Sequence, residues 1–209
     1  MPHKLKQFLD KIAGEKAPGP APTFSVLHIL RALEIAAEKC VGRGKLAVEL
    51  GVGHGAVRTI ISRLREAGLV TTSKTGCSIT AKGLKFWSEY KKIFPKKVEI
   101  EADKLTTARY NFAVLAKDCG GKVKSGMDQR DAAVKTGAKG AVTILFRNGR
   151  LVIPSVTEDF AKDFPETAEQ ILKLLKPEEN DVVVISGADT LKLAGYATTA
   201  ATLTFLDDC

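Results

Sequence analysis

The stretch LAVELGVGHGAVRTIISRLREAGLV, residues 46–70, decides how this chain is to be understood. Apolar residues recur at helical spacing on both sides of a glycine-containing gap. This predicts one helix over 45–50, stopped by Gly51, and another over 54–67, stopped by Gly68. Leu50 and Val52 plug the space between the two, Ala47 is small where they cross, and Gly51 can take the positive φ that a tight turn requires. Val57, Ile60, Ile61 and Leu64 share the inward face of the second helix. His54, Gly55, Arg58, Thr59, Ser62, Arg63 and Arg65 are left outside.

Upstream, Thr23 reads as the N-cap of a core helix whose stripe is Leu27, Leu30, Leu33 and Ala37, reaching about Cys40. Before it, Leu5, Phe8, Leu9 and Ile12 form one face of a short amphipathic helix, expected to pack on its own domain rather than between subunits, although a dimer would need such a face. The stiff tract APGPAPT (17–23) follows that helix. Downstream, LVTTS (69–73) and CSIT (77–80) are strand-like and joined by Lys74-Thr75-Gly76, which suits a hairpin loop. A helix over 81–94, spaced by Leu84, Trp87, Tyr90 and Phe94, ends at Pro95-Lys96-Lys97. The expected domains are therefore 1–97 and 98–209.

Charge separates the same two pieces. Residues 1–97 carry 18 basic and 7 acidic side chains, a net of +11. Residues 98–209 carry 14 and 17, a net of −3, and the whole chain of 209 residues is +8. A cationic surface of this kind favours nucleic acid, because neutralising phosphates releases counterions. A helix in the major groove reads base edges mainly from its N-terminal turns, so His54, Arg58, Thr59 and Ser62, with Gly55 beside them, are the candidates for base contact. Arg63 and Arg65 suit phosphates. Arg43 and Lys45, ahead of the second of the three helices, are placed for the same task, and Lys74 and Thr75 at the hairpin tip could reach a minor groove or the neighbouring backbone.

The arrangement over residues 24–94 resembles the winged-helix transcriptional regulators, in which a segment like EAGLV is followed by a hairpin and an ITAKG-like segment. Gly53 departs from the pattern, standing where such proteins usually place a Ser or Thr N-cap, at a cost of a few tenths of a kcal/mol. Taken whole, the chain resembles an archaeal family of winged-helix proteins with a C-terminal domain of unknown function. The segment QRDAAVKTGAKGAVTILFRNGRLVIP (129–154) carries that likeness. The resemblance implies transcriptional regulation and brings with it no established ligand and no catalytic residues.

Beyond Lys97 the pattern predicts strands at about 98–101 and 110–116, a helix at 127–137, strands at 141–147 and 150–153, a helix at 157–175, a strand at 182–186 and a helix at 190–204. Asn148-Gly149 is the preferred two-residue hairpin turn. The fold class expected is α+β: a winged helix-turn-helix domain followed by an α/β sandwich. The order from Tyr110 fits the split β-α-β plan of ferredoxin-like domains plus a terminal helix. Against that plan, VVVI (182–185) is continuously apolar and suggests a strand covered on both faces, as in a parallel three-layer sheet, unless the extra helix covers the second face.

Three features of this half invite a chemical reading. Ser186 and Gly187 of SGADT (186–190) could line an anion site where a strand gives way to a helix, although Asp189 acting as a plain N-cap is the better account. Arg130 could hold a carboxylate or phosphate ligand, whereas Asp128 and Asp131 read as helix-dipole complements. Cys119 reads as an inert thiol in a turn, because all three histidines (His3, His28, His54) lie in the first half. His28, inside the apolar pattern of a core helix, reads as a structural histidine.

The expectation is a sequence-specific regulator of double-stranded DNA with a second domain that senses a small-molecule effector, pairs subunits into a homodimer, or both. No metal is expected and the thiols are expected to be reduced, since the four cysteines lie far apart with no histidine at zinc-ligand spacing; no cofactor is expected, and no catalytic residues either, the second half holding no histidine-based set. No apolar run approaches the about 20 residues that span a bilayer, and no secretion signal stands at the start, so a cytoplasmic protein is expected. The competing readings are an enzyme in the second half with the winged helix as a partner- or RNA-docking module, and a protein-docking module throughout.

Overall fold

The computed structural model describes residues 2–14 and 22–207. The proline-rich connector, up to Ala21, and Cys209 lie outside the described residues. The chain forms two compact units, Met1–Tyr90 and Lys91–Cys209.

In the first unit, α1 (Pro2–Ala13) buries Leu5, Leu9 and Ile12, packs on α2 (Val26–Glu38), and so belongs to its own unit as expected. The N-cap of α2 is Ser25, not Thr23: the Ser25 backbone N–H donates to His28 Nδ1 at 3.0 Å, closing a capping box. The buried face of α2 is Ile29, Leu30, Ala32, Leu33, Ile35 and Ala36, while Leu27 and Ala37 are half-buried. A helix met by α1, by the two helices that follow and by the hairpin is covered over more than one stripe. Next come α3 (Arg43–Leu50) and α4 (His54–Glu66), then the antiparallel hairpin β1 (Val70–Thr72) and β2 (Cys77–Ile79), then α5 (Ala81–Ile93). On α5, Leu84 faces solvent and Tyr90 is buried.

The second unit is a five-stranded antiparallel sheet with helices on both faces. Its elements are β3 (Lys96–Glu99), α6 (Asp103–Thr106), β4 (Tyr110–Ala116), α7 (Met127–Lys135), β5 (Gly140–Arg147), β6 (Arg150–Val152), α8 (Phe160–Asp163), α9 (Pro165–Gln170), β7 (Val182–Ala188) and α10 (Leu191–Leu203). The helix expected over 157–175 is broken at Pro165 and ends in a π-helical turn, Ile171–Leu175. Strand order is β3-β4-β7-β5-β6. Split β-α-β units are present, since β4 and β5 run parallel with β7 between them. The ferredoxin-like arrangement is not, because there the second strand of the hairpin would stand in the middle, whereas β6 is a three-residue edge strand.

The centre is taken by β7, all seven residues of which are buried. Its apolar run was the right clue to a covered strand but not to a parallel sheet. Val183 and Ile185, with Ala113, Leu115 and Ile144, pack against Phe160, Ala168, Ile171 and Leu175 on one face. On the other, α10 lies over β4 and β7 with Thr198 Oγ1 2.6 Å from Ser186 Oγ, so the terminal helix does cover the second face. Asn148 and Gly149 both take positive φ (52° and 72°), as a two-residue hairpin turn requires.

Candidate nucleic-acid interface

Two glycines shape this surface. Gly51 ends α3 at φ 73°, its N–H on Ala47 O at 2.9 Å, and the chain turns within two residues into α4. Gly53 caps α4 without a side chain. Val57, Ile60, Ile61 and Leu64 are buried beneath α4, which leaves His54, Gly55, Arg58, Thr59 and Arg65 exposed and Ser62 half-buried. Thr59 Oγ1 donates to Gly55 O at 3.2 Å and Ser62 Oγ to Glu66 Oε1 at 3.0 Å, so each hydroxyl proton is engaged and what each oxygen has left to offer is acceptor capacity.

Beside α4 stands the β1–β2 hairpin. Val41 adds a rung to it, exchanging backbone hydrogen bonds of 2.9 Å with Cys77 in both directions. Gly76 takes φ 144°, and a Cβ there would lie 2.5 Å from Val41 O, so only glycine lets the hairpin approach this closely. The tip is organised by side chains: Thr75 N–H donates to Ser73 Oγ at 3.2 Å, and the two hydroxyls lie 2.7 Å apart. Lys74 is carried there, exposed.

Between helix and hairpin runs an open groove of about 560 Å³ whose lining includes Arg43, Arg58, Arg65 and Lys74 and no carboxylate. Six of the residues singled out in the sequence meet there: those four cations, Ser62 and Thr75. Lys45, on α3, and His54, Gly55 and Thr59, on the first turns of α4, are exposed outside it. Thr72 and Ser73 also line the groove and were missed. They are uncharged and gain their place only from the hairpin register. Cys77 closes the floor, its thiol pushed up to about 11 by burial and, secondarily, by Cys40. The exposed Cys40 thiol is lowered by hydrogen bonds from Ser78 and Thr75.

Arg63 must be moved from the outer face to the inside. It is only 8% exposed, and its Nη1 donates to the carbonyls of Ile12, Ala13 and Gly14 at 3.0, 2.8 and 2.7 Å, with the guanidinium over the Phe24 ring at 4.9 Å. These are the carbonyls that the end of α1 leaves without helical partners, and a cation complements that end of the helix dipole.

The second unit corrects the other assignments. Ser186 and Gly187 lie inside β7 and are buried, with Ser186 bonded to Thr198 and Gly187 close against Asn111 and Thr106, so they offer no anion site. The N-cap of α10 is Thr190, accepting from Leu193 N at 3.2 Å, while Asp189 pairs with Lys139 at 2.5 Å. Arg130 stands exposed on α7, 3.9 Å from Asp131. Cys119 is buried and donates to Lys117 O at 3.2 Å, as an inert thiol would. Among the described residues no cluster of His, Cys, Asp or Glu could hold a metal ion, and no helix is long and apolar enough to cross a membrane.

Residues 25–94 match a family model described as the CggR N-terminal DNA binding domain, and residues 107–205 match that of a domain of unknown function, DUF4443. No curated protein matches. Among solved structures, a hypothetical protein of Pyrococcus horikoshii OT3 is similar in fold, with a TM-score of 0.68 at 24% identity, covering 86% of this chain and 92% of that one. The first match supports DNA binding by the first unit, joined to a sheet-containing second unit.

Proposed function

We propose that the chain is a sequence-specific transcriptional regulator of double-stranded DNA, with α4 in the major groove and the hairpin beside it on the backbone. The observation that carries this reading is the groove lined by Arg43, Arg58, Arg65 and Lys74 without an acid. Arg58, on the exposed face near the start of α4, is suited to a bidentate base contact, and His54, Gly55, Thr59 and Ser62 read the neighbouring edges. Arg43, Lys45, Arg65, Lys74 and Thr75 hold phosphates.

The second unit is read as regulatory, with no catalytic role, and serves to pair subunits and to take an effector in the cytoplasm. Its place for an effector is an open cleft of about 670 Å³ lined by Glu99, Glu101, Arg109, Tyr110, Asn111 and Gln170. An effector acts there only if it binds the DNA-competent and incompetent arrangements unequally.

The test is selection of bound fragments from the source genome by the full chain. The expected result is a shared sequence motif among the retained fragments that is lost with Arg58→Ala. Retention of fragments without any common motif, or no retention at low salt, overturns the reading.

A further inference from the structure

The two edges of the five-stranded sheet are unlike. On the β6 side, Arg150 and Val152 turn their backbone groups inward to Arg147 and Leu145, so Leu151 alone turns outward. The chain then folds back, Ile153 N–H donating to Thr157 O at 2.9 Å, and this edge is blunted. On the β3 side, Ile100 N–H donates to Asn111 O at 3.1 Å. Alternation along the antiparallel pair then directs the backbone groups of Lys96 and Val98 to β4 and those of Lys97 and Glu99 to the outer edge.

We propose that β3 is the edge on which a second copy of this chain docks, antiparallel about a two-fold axis through Val98, making one continuous ten-stranded sheet. This deepens the pairing role given above to the second unit. In that register Lys97 stands opposite the copy's Glu99 and Glu99 opposite the copy's Lys97. Both are hydrogen-bonded pairs, with Cα atoms about 5.5 Å apart.

Directly opposed residues share a face of the sheet, so each pair sets unlike charges together. Centring on Lys97 instead opposes two lysines and sets Glu99 against Pro95, which has no N–H. Centring on Glu99 opposes two glutamates, and centring on Ile100 sets Glu99 against Glu101. Of these four centres within and beside β3, only Val98 avoids like charges.

The flanks fit the same partner. Lys97 Nζ donates to Thr199 Oγ1 at 3.0 Å and lies over the Phe112 ring of β4, so its charge is held on the α10 face of the sheet, the face that Glu99 shares. On the other face, Lys96 Nζ ties β3 to the end of the π-helical turn through Leu174 O and Leu175 O, at 3.1 and 2.9 Å. That turn carries Leu172 and Leu174, 46% and 41% exposed, as apolar surface for a copy to cover.

The test is sedimentation of the full chain without DNA, which keeps its outcome separate from that of the DNA-binding reading. The expected mass is twice 22.4 kDa. Glu99→Lys, at an exposed position, opposes two lysines twice over and weakens self-association by about tenfold or more, and Lys97→Glu does the same with glutamates. Mixing the two variants restores a dimer, because every opposed pair is then unlike in charge.

If Lys97→Glu does not fold, Glu99→Pro takes its place. It removes an outward N–H that β4 does not use, and it should dissociate the dimer. A monomeric parent chain, a dimer indifferent to Glu99→Lys, or two folded charge variants that stay apart when mixed overturns the proposal.

Discussion

Arg63 Nη1 and Gly14 O, 49 residues apart in sequence, are joined by a hydrogen bond of 2.7 Å that ties α4 to the end of α1. The cation that helical spacing set beside the cations proposed to hold phosphates thus holds the scaffold instead. Arg63→Ala leaves three carbonyls without this donor and should cost about 2–4 kcal/mol of unfolding free energy, whereas the exposed Arg65→Ala should cost under about 0.5. Urea denaturation of both variants checks the contrast, and equal losses would contradict it.

Arg58 and Lys74 line the same groove from different elements and should fail differently. Arg58→Ala should lower discrimination between preferred and altered duplexes by about 1–3 kcal/mol. Lys74→Ala should weaken all duplexes alike and make the salt slope shallower by about 1. Competition binding against single-base variants of a selected fragment separates the two effects. An unchanged preference for Arg58→Ala would remove its assignment to a base.

His28 gives stability a pH dependence of known sign. Burial lowers its pKa below the ordinary 6.5, and Nδ1 must stay unprotonated to accept from Ser25 N–H. The unfolded chain therefore takes up the proton first as pH falls. The contribution is fully present above about 6.5 and is lost as pH drops from there through the folded-state value. His28→Gln keeps an acceptor at the third helical position without titrating. Denaturation midpoints followed from neutral to mildly acid pH should fall more steeply for the parent chain than for this variant, and parallel curves would be the contrary result.

The thiols should react in a fixed order. Cys40 is exposed and lowered by hydrogen bonds from Ser78 and Thr75, whereas Cys77 is buried and pushed up to about 11 and Cys119 is buried. Alkylation of the native chain near neutral pH, mapped on peptides, should mark Cys40 ahead of Cys77 and Cys119. Labelling of Cys77 first would show the hairpin opening on its floor.

Local signals sufficed for the helix-turn-helix and the hairpin of the first unit. Gly51, the 57-60-61-64 face and the Lys74-Thr75-Gly76 loop each act within a few residues, so the helix-turn-helix and hairpin could be read directly, as could Asn148-Gly149. Two misses were local, the Ser25 N-cap closed by His28 and the break at Pro165, and the others depend on distant partners. Nothing near Arg63 reveals the end of α1, and nothing in SGADT reveals that β7 continues to Ala188 between β4 and β5. Strand order is decided by which strand can be buried on both faces, and β6, at three residues, is too short for that place. The groove was half legible: its cations are visible as residue types, whereas Thr72 and Ser73 join it only through hairpin register.

The most direct test of the DNA-binding account is the affinity of the full chain for a selected duplex as a function of salt, beside a variant with Arg43, Arg65 and Lys74 all replaced by Ala. The account predicts a logarithmic plot that falls linearly for the parent and is shallower by about three units in the variant, close to one for each phosphate no longer neutralised. Equal slopes, or an affinity indifferent to salt, would contradict it.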